Sequence, residues 1–94
     1  MALLKITATV RGRVQGVGFR NWTYSQAKLF GLTGWVKNTS EGDVSLLAEG
    51  EADRVDEFLS ELQNGPRLAN VADIELSRVE IPAREHTTFV VDKD

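Results

Sequence analysis

A glycine-rich segment, residues 12–20, constrains the fold more than any other part of this sequence. Three of its nine residues, Gly12, Gly16 and Gly18, are glycine, the residue that tight turns and positive φ angles favour. An alternating strand pattern precedes it, and a helix-compatible apolar segment from Trp22 to Phe30 follows it. The segment therefore predicts a strand, a tight loop and a helix in immediate succession.

This loop is a candidate anion-binding site. Loop amides and the first N–H groups of a helix converge on one point, where the helix dipole also favours negative charge. Arg20 would lie in the first turn of that helix, where a cation is disfavoured by roughly 0.3–1 kcal/mol unless a bound anion reverses the balance. A simple strand-to-helix turn is the alternative, because the segment lacks both the Gly-Lys-Ser/Thr of a P-loop and the third glycine of a dinucleotide-binding motif.

Length and composition are those of one small globular domain comprising residues 1–94. No apolar run approaches the roughly 20 residues that span a membrane, and Lys5, Thr7 and Thr9 interrupt the N-terminal apolar residues, unlike a signal peptide. We therefore expect a cytoplasmic protein that does not bind membranes. The sequence has no cysteine and one histidine, His86, which excludes thiol chemistry and leaves few ligands for a transition metal.

The charged residues are unevenly distributed. Residues 1–40 carry six bases and no acid, whereas residues 41–94 carry all 14 acids and five bases, so the two parts have net charges of +6 and −9. The first part would attract an anionic ligand, and the acidic remainder opposes a long polyanion such as RNA or DNA. The expected ligand is a small anion, and nucleic acid is not an expected partner.

Hydrophobic periodicity predicts an alternation of strands and helices along the chain. The first strand runs from about Leu3 to Arg11, and the first helix starts between Phe19 and Trp22, with Gly31 as its C′ residue. The further predicted elements are a hairpin of strands Thr33–Asn38 and Asp43–Glu49, an amphipathic helix from about Ala52 that stops at Asn64-Gly65-Pro66, a strand Val71–Val79 and a short strand around Phe89 and Val91.

The order β-α-β-β-α-β with a short extra strand matches an α+β, ferredoxin-like split βαβ sandwich, with two helices on one face of a mostly antiparallel sheet. In the strand Val71–Val79 the apolar residues change phase before Val79 and Ile81, which indicates a bulge or the end of the strand. Residues 92–94 are expected to form a frayed tail. The fold alone assigns no function, because many binders and enzymes share it.

Two sequence blocks resemble the signature of the acylphosphatase family. The blocks are Val10–Arg20 and Gly31–Asn38, in the order and separation that the family has. The resemblance continues through Glu41–Val44 and the second helix, so it covers nearly the whole chain. It implies hydrolysis of acyl phosphates, which are mixed anhydrides of a carboxylic acid and phosphoric acid, to a carboxylate and inorganic phosphate, without a metal or cofactor.

The resemblance also implies roles for individual residues. Arg20 matches the phosphate-binding arginine of the family, and Asn38 matches the asparagine that positions the attacking water. The amides that match the phosphate loop are those of Val14, Gln15, Gly16, Val17, Gly18 and Phe19. The expected partners are a small-molecule acyl phosphate and, as competing anions, inorganic phosphate or sulfate. We expect a monomer, because the sequence has no obvious apolar surface stripe.

Other interpretations remain open at this point. Acylphosphatase-like domains also resemble the N-terminal piece of larger hydrogenase-maturation proteins that handle carbamoyl phosphate, so a non-catalytic anion-binding module is an alternative. A ferredoxin-like RNA binder is a third, which the acidic balance and the lack of an aromatic RNP-type strand disfavour. Taken alone, Asn38 beside a hairpin would be a turn residue. Trp22, Tyr24 and Trp35 are expected to be core or rim residues, and His86 a surface residue. The acids of the second helix are expected to form its solvated face.

Overall fold

A computed structural model describes residues 2–93 of the chain. The predicted alternation of strands and helices is present in it. The elements in chain order are β1 (Leu3–Arg13), α1 (Phe19–Leu29), β2 (Thr33–Asn38), β3 (Val44–Glu51), α2 (Ala52–Asn64), β4 (Asn70–Ile81) and β5 (Phe89–Val91).

The strands form one sheet in the order β4-β1-β3-β2-β5. β1 pairs antiparallel with both β3 and β4, and β2 pairs antiparallel with β3. β5 differs, because it lies parallel to β2, with Phe89 opposite Gly34 and Val91 opposite Val36. The predicted ferredoxin-like fold, with a mostly antiparallel sheet and a short additional strand, is confirmed.

The core lies between the two helices and one face of the sheet. Alternate residues of β1 form its central row, as the period of two in the sequence predicts. The buried residues of that row are Leu4, Ile6, Ala8 and Val10. The helices bury Phe19, Thr23, Ala27, Val55, Phe58 and Leu62. Burial of one large apolar side chain contributes about 1.5–3 kcal/mol, so this interface fixes both helices on the sheet.

The C-terminus of α1 has the predicted glycine. Gly31 has a φ angle of 70° and follows the C-cap residue Phe30. The Leu32 amide donates to the Ala27 carbonyl at 2.8 Å and the Gly31 amide to the Lys28 carbonyl at 3.2 Å, which is the Schellman pattern. Between residues 2 and 93, no helix combines the length and apolarity needed to cross a membrane.

Two sequence predictions require correction. The phase change before Val79 is neither a bulge nor the end of β4, because the pairing with β1 runs without a shift from Asp73 to Ile81. Val79 lies opposite Lys5, on the face away from the buried row, and is 50% exposed. The register shift lies between Arg11 and Gly12 of β1.

The expected frayed tail is also partly wrong. The Asp92 amide donates a 2.8 Å hydrogen bond to the Val36 carbonyl, so the chain remains attached to β2 beyond the end of β5. Asp94, the last residue of that predicted tail, lies outside the described residues. This attachment brings the end of the described chain next to α1 and β2.

Candidate active site

The loop between β1 and α1, residues 14–18, is fixed by buried side chains. Val14, its first residue, and Phe19, which follows it, are 1% and 2% exposed and belong to the main core. Val17, inside the loop, is partly buried and packs against the same core. These contacts attach the loop to the core at its start, within it and directly after it.

Two glycines determine the shape of the loop. Gly16 and Gly18 have φ angles of 75° and 77°, in the left-handed region that favours glycine. Where left-handed residues alternate with right-handed ones, successive backbone N–H groups point into one concavity, which can bind an anion. Gly18 is the N-cap of α1, and the first turn has neither a side-chain cap nor an acidic residue. The first intrahelical hydrogen bond is the one that the Trp22 amide donates to the Gly18 carbonyl at 3.0 Å. The amides before Trp22 therefore have no acceptor within the helix.

Arg20 is the second residue of α1 and is half-buried. Its Nη1 donates a 3.0 Å hydrogen bond to the backbone carbonyl of Asp92, just beyond β5. A guanidinium has five N–H donors in a planar fork, so a group anchored in this way can also bind an oxyanion. The hydrogen bond to Asp92 orients the Arg20 guanidinium.

Asn38 is the last residue of β2 and lies opposite Val44 of β3. Its side chain is half-buried, and no hydrogen bond to its carboxamide is formed within residues 2–93. Three hydrogen bonds close the turn that follows. The Thr39 amide donates to the Asp43 carbonyl at 2.9 Å, the Asp43 amide to the Thr39 Oγ1 at 3.1 Å and the Gly42 amide to the Thr39 carbonyl at 3.3 Å. The strand and the closed turn fix the backbone of Asn38 on both sides.

The Gln15 side chain connects the loop to this turn. Its Nε2 donates to the Thr39 carbonyl at 2.9 Å and to the Asp43 carbonyl at 2.8 Å. The first sequence block is therefore hydrogen-bonded to the turn that directly follows the second block. Sequence reasoning assigns Gln15 only a backbone role and misses this contact.

The loop, Arg20 and Asn38 line one cavity of about 290 Å³. This volume is near the lower end of the range for ligand pockets, which suits a small ligand. Among the described residues on its wall, the charged side chains are Arg20 and Lys93, both cations. Positive charge together with the amides of a helix N-terminus is an arrangement that binds a phosphoryl group.

The cavity contains most of the residues predicted from the sequence. Asn38 lines it, together with five of the seven predicted phosphate-binding residues: Val14, Gly16, Gly18, Phe19 and Arg20. Gln15 and Val17 are not on its wall, because the Gln15 side chain is bonded to the neighbouring turn and Val17 packs against the core. The catalytic and binding roles of these residues stay predictions.

Sequence reasoning misses three residues of the cavity wall, Asn21, Val91 and Lys93. The sequence places Lys93 in a frayed tail, away from any site. The available signal is the apolar alternation of Phe89 and Val91, which predicts a strand without naming its partner. The parallel pairing of that strand with β2 brings Lys93 to the cavity.

The remaining chemically notable side chains lie elsewhere. The His86 Nδ1 is 3.2 Å from Oε1 of the buried Glu49, and neither residue lines the cavity. Trp22 is partly buried against the core, and Asp56 on the exposed face of α2 pairs with Arg78 at 2.8 Å. No group of three histidine or acidic residues between residues 2 and 93 is arranged to hold a metal ion.

Comparison with known proteins connects this architecture to one family. The acylphosphatase family model matches residues 6–91. An acylphosphatase of Pseudomonas paraeruginosa is 44% identical over 91 residues, which are 97% of this chain and 98% of that protein. The crystal structure of an acylphosphatase from Bacillus subtilis matches with a TM-score of 0.88 at 37% identity, over 95% of this chain and 98% of that chain.

A longer protein contains a similar unit. The structure of full-length HypF in a phosphate- and nucleotide-bound form matches 98% of this chain at 25% identity, with a TM-score of 0.82, but the match covers 12% of the HypF chain. The Pseudomonas and Bacillus proteins, by contrast, match over almost their entire lengths. From the extent of the family-model match and of this identity, we conclude that the chain belongs to the acylphosphatase family.

Proposed function

We propose that this chain is an acylphosphatase, which hydrolyses an acyl phosphate to a carboxylate and inorganic phosphate. The observation that carries the proposal is the shared cavity of about 290 Å³, because Arg20, Asn38 and the loop glycines come from different elements and line the same space. Membership of the acylphosphatase family supports the same activity. The substrate is therefore a small molecule with a phosphoryl group.

In this proposal, Arg20 and the loop amides hold the phosphoryl oxygens. The guanidinium is planar and permanently charged, and the amides are fixed dipoles, so neither has to reorganise as charge develops in the transition state. Loss of one preorganised donor of this kind typically costs about 10²–10³ in kcat. Arg20 supplies more than one donor, so its removal costs at least that much.

Asn38 orients the attacking water. Its carboxamide has donors and an acceptor but does not titrate near neutral pH, so it can hold the water in line with the leaving group without removing its proton. Alignment of this kind lowers the activation free energy, because the translational and rotational entropy of the water is already lost when it is bound. The half-buried position of Asn38 at the end of β2 supports this role.

The reaction consists of one displacement at phosphorus. The water oxygen forms a bond to phosphorus, the bond from phosphorus to the acyl oxygen breaks, and the acyl group leaves as a carboxylate. The proton of the water passes to a phosphoryl oxygen, since no carboxylate or imidazole from residues 2–93 lines the cavity. A carboxylate is a good leaving group, so strong base assistance is not required.

In this proposal, the reaction also needs no cofactor, and small anions compete with the substrate. The guanidinium and amides supply the positive charge that a metal ion would otherwise provide, so hydrolysis proceeds without a metal or cofactor. Inorganic phosphate and sulfate have the shape and charge of the transferred group and compete with the substrate. The chain acts as a monomer, and its acidic C-terminal part disfavours nucleic acid.

A phosphate-binding module without catalytic activity is a second candidate, since a similar unit occurs in the phosphate-bound HypF structure. The test uses purified protein with a metal chelator and an aromatic acyl phosphate, and follows the release of phosphate. We expect rapid turnover that Arg20→Ala and Asn38→Ala each slow by at least about 10²-fold, with phosphate as a competitive inhibitor. The matched controls are Arg67→Ala and Asn64→Ala, at exposed positions outside the cavity.

The outcomes separate the two candidates. Phosphate binding by the wild-type protein without turnover, both with and without the chelator, would support the module and overturn the enzyme. Turnover at the wild-type rate in Arg20→Ala would show that the site is misplaced. Turnover that the chelator abolishes would overturn metal-independent hydrolysis.

A further inference from the structure

The two hydrogen bonds of the Gln15 side chain converge on one short turn. Its Nε2 lies 2.9 Å from the Thr39 carbonyl oxygen and 2.8 Å from the Asp43 carbonyl oxygen. A primary amide nitrogen carries two hydrogens, so these bonds use both of them. Gln15 therefore attaches the glycine loop to both ends of the turn that follows Asn38.

The same turn also contacts β1, through an ion pair between Arg11 and Asp43. The Arg11 Nε lies 3.7 Å from a carboxylate oxygen of Asp43, and the Arg11 Nη2 donates a 2.7 Å hydrogen bond to Glu75 of β4. The hydrogen bond to Glu75 raises the pKa of the Arg11 guanidinium, a group that is in any case always charged in proteins. Arg11 thus connects the turn to the sheet, and Gln15 connects it to the loop.

The sheet alone connects the two halves of the site only indirectly. The loop continues β1, and Asn38 ends β2, but β3 lies between these two strands. Any small rotation between neighbouring strands would change the distance from the loop to Asn38. The Gln15 carboxamide is a direct link across this gap.

We propose that Gln15 is a positioning residue for hydrolysis, which fixes the separation between the loop that holds the phosphoryl group and the carboxamide of Asn38 that orients the water. This inference rests on the proposed function. The Gln15 side chain does not line the cavity, so it acts through Asn38 and not by contact with the substrate. In-line attack is sensitive to such a separation, because an error of about 1 Å can cost roughly 10²-fold in rate.

The first test is Gln15→Met, which keeps the length of the side chain and removes both donors. We expect kcat for an aromatic acyl phosphate to fall by roughly 10²-fold, while the inhibition constant of inorganic phosphate stays unchanged. The reason for the difference is that phosphate needs only Arg20 and the loop amides, whereas turnover also needs the aligned water. Wild-type kcat, or an equal loss of kcat and phosphate affinity, would overturn the inference.

The second test is the double variant Gln15→Met with Asn38→Ala. If Gln15 acts through Asn38, the double variant has the same kcat as Asn38→Ala alone, because the group to be positioned is already absent. Additive losses would show that Gln15 supports the structure in general and would contradict the inference. Gln15→Leu, which also lacks donors to carbonyls and adds no charge to the phosphate loop, serves in both tests if Gln15→Met does not fold.

The control is Gln63→Met, which makes the same change at an exposed position of α2 and leaves kcat unchanged. Asn38→Ala in the same series separates this inference from the proposed function. A slow Asn38→Ala beside a fast Gln15→Met defeats only the role of Gln15. An Asn38→Ala variant as fast as the wild type would defeat the proposed site itself.

Discussion

The guanidinium of Arg20 donates a 3.0 Å hydrogen bond to the backbone carbonyl of Asp92, a residue 72 positions later in the chain. The Asp92 amide in turn donates to the Val36 carbonyl of β2 at 2.8 Å. The same strand carries Asn38 at its end. The arginine proposed to bind phosphate and the asparagine proposed to orient water therefore share one structural support.

The first prediction is that Arg20→Lys lowers kcat/KM by roughly 10²-fold, the typical loss for one preorganised donor. A lysine keeps the positive charge, but it has no planar fork with which to hold the Asp92 carbonyl and a phosphoryl group together. The measurement is kcat/KM with an aromatic acyl phosphate, together with the inhibition constant of phosphate, which should rise. Arg67→Lys, at an exposed position outside the cavity, is the control, and an Arg20→Lys variant with wild-type values would contradict the prediction.

The second prediction concerns Gly34 of β2. Its φ angle is 144°, and an added Cβ would meet the carbonyl of Leu47 in the neighbouring strand β3. Gly42 also has a positive φ angle, 90°, but a Cβ there would meet nothing within 4 Å. Gly42→Ala should therefore lower the free energy of unfolding by roughly 1–3 kcal/mol from backbone strain alone, and Gly34→Ala by more.

Urea denaturation of the two variants checks this difference. Both substitutions add the same methyl group, so the comparison isolates the steric clash at Gly34 from the strain that the two positions share. Equal losses of stability in the two variants would show that β2 and β3 can separate without cost. That result would also weaken the view that β2 holds Asn38 rigidly.

The sequence predicts the order of elements because local periodicity determines it. The buried residues of β1 alternate, and those of α2 recur at helical spacing, so each element is visible without knowledge of its neighbours. The ends of β1 and β4 extend two residues beyond the predicted Arg11 and Val79. Pairing between these two strands continues there, and only the fold reveals that pairing.

The candidate site also has some residues that the sequence predicts and others that only the fold reveals. Arg20, Asn38 and the glycines stand in two short blocks, so their residue types and spacing are sufficient to find them. The Gln15 side-chain contacts, the Asp92 anchor and Lys93 on the cavity wall depend on residues that are distant in sequence. The parallel pairing of β5 with β2 produces the last two contacts, and no local pattern encodes the partner of a three-residue strand.

Glu49 has a structural role that the sequence does not predict, because its hydrogen-bond partners are distant in the sequence. Its side chain is 0% exposed, and its Oε1 accepts hydrogen bonds from the Glu85 amide at 2.8 Å and the His86 amide at 2.6 Å. The Thr33 hydroxyl donates to the same oxygen at 3.2 Å. The carboxylate therefore holds the segment between β4 and β5 against the sheet.

The third prediction is that Glu49→Ala destabilises the fold more than Glu49→Gln. Alanine leaves two partly buried amides without their acceptor, so the free energy of unfolding should fall by roughly 1–3 kcal/mol in total, whereas glutamine keeps an oxygen that can accept from them. The free energy of unfolding from urea titration measures the difference. If the two variants lose the same stability, the charge of Glu49 and not its acceptor oxygen is the important feature.

The fourth prediction concerns Lys93, an exposed cation on the wall of the cavity that also contains Arg20. A charge in this position attracts an anionic substrate over about 10 Å at 0.1 M salt, but only over about 3 Å at 1 M. Lys93→Met should therefore lower kcat/KM severalfold at low ionic strength and have little effect at high ionic strength. Lys28→Met, on the exposed surface of α1, is the control for loss of charge. A salt-independent fall in kcat would show that Lys93 contacts the reacting group.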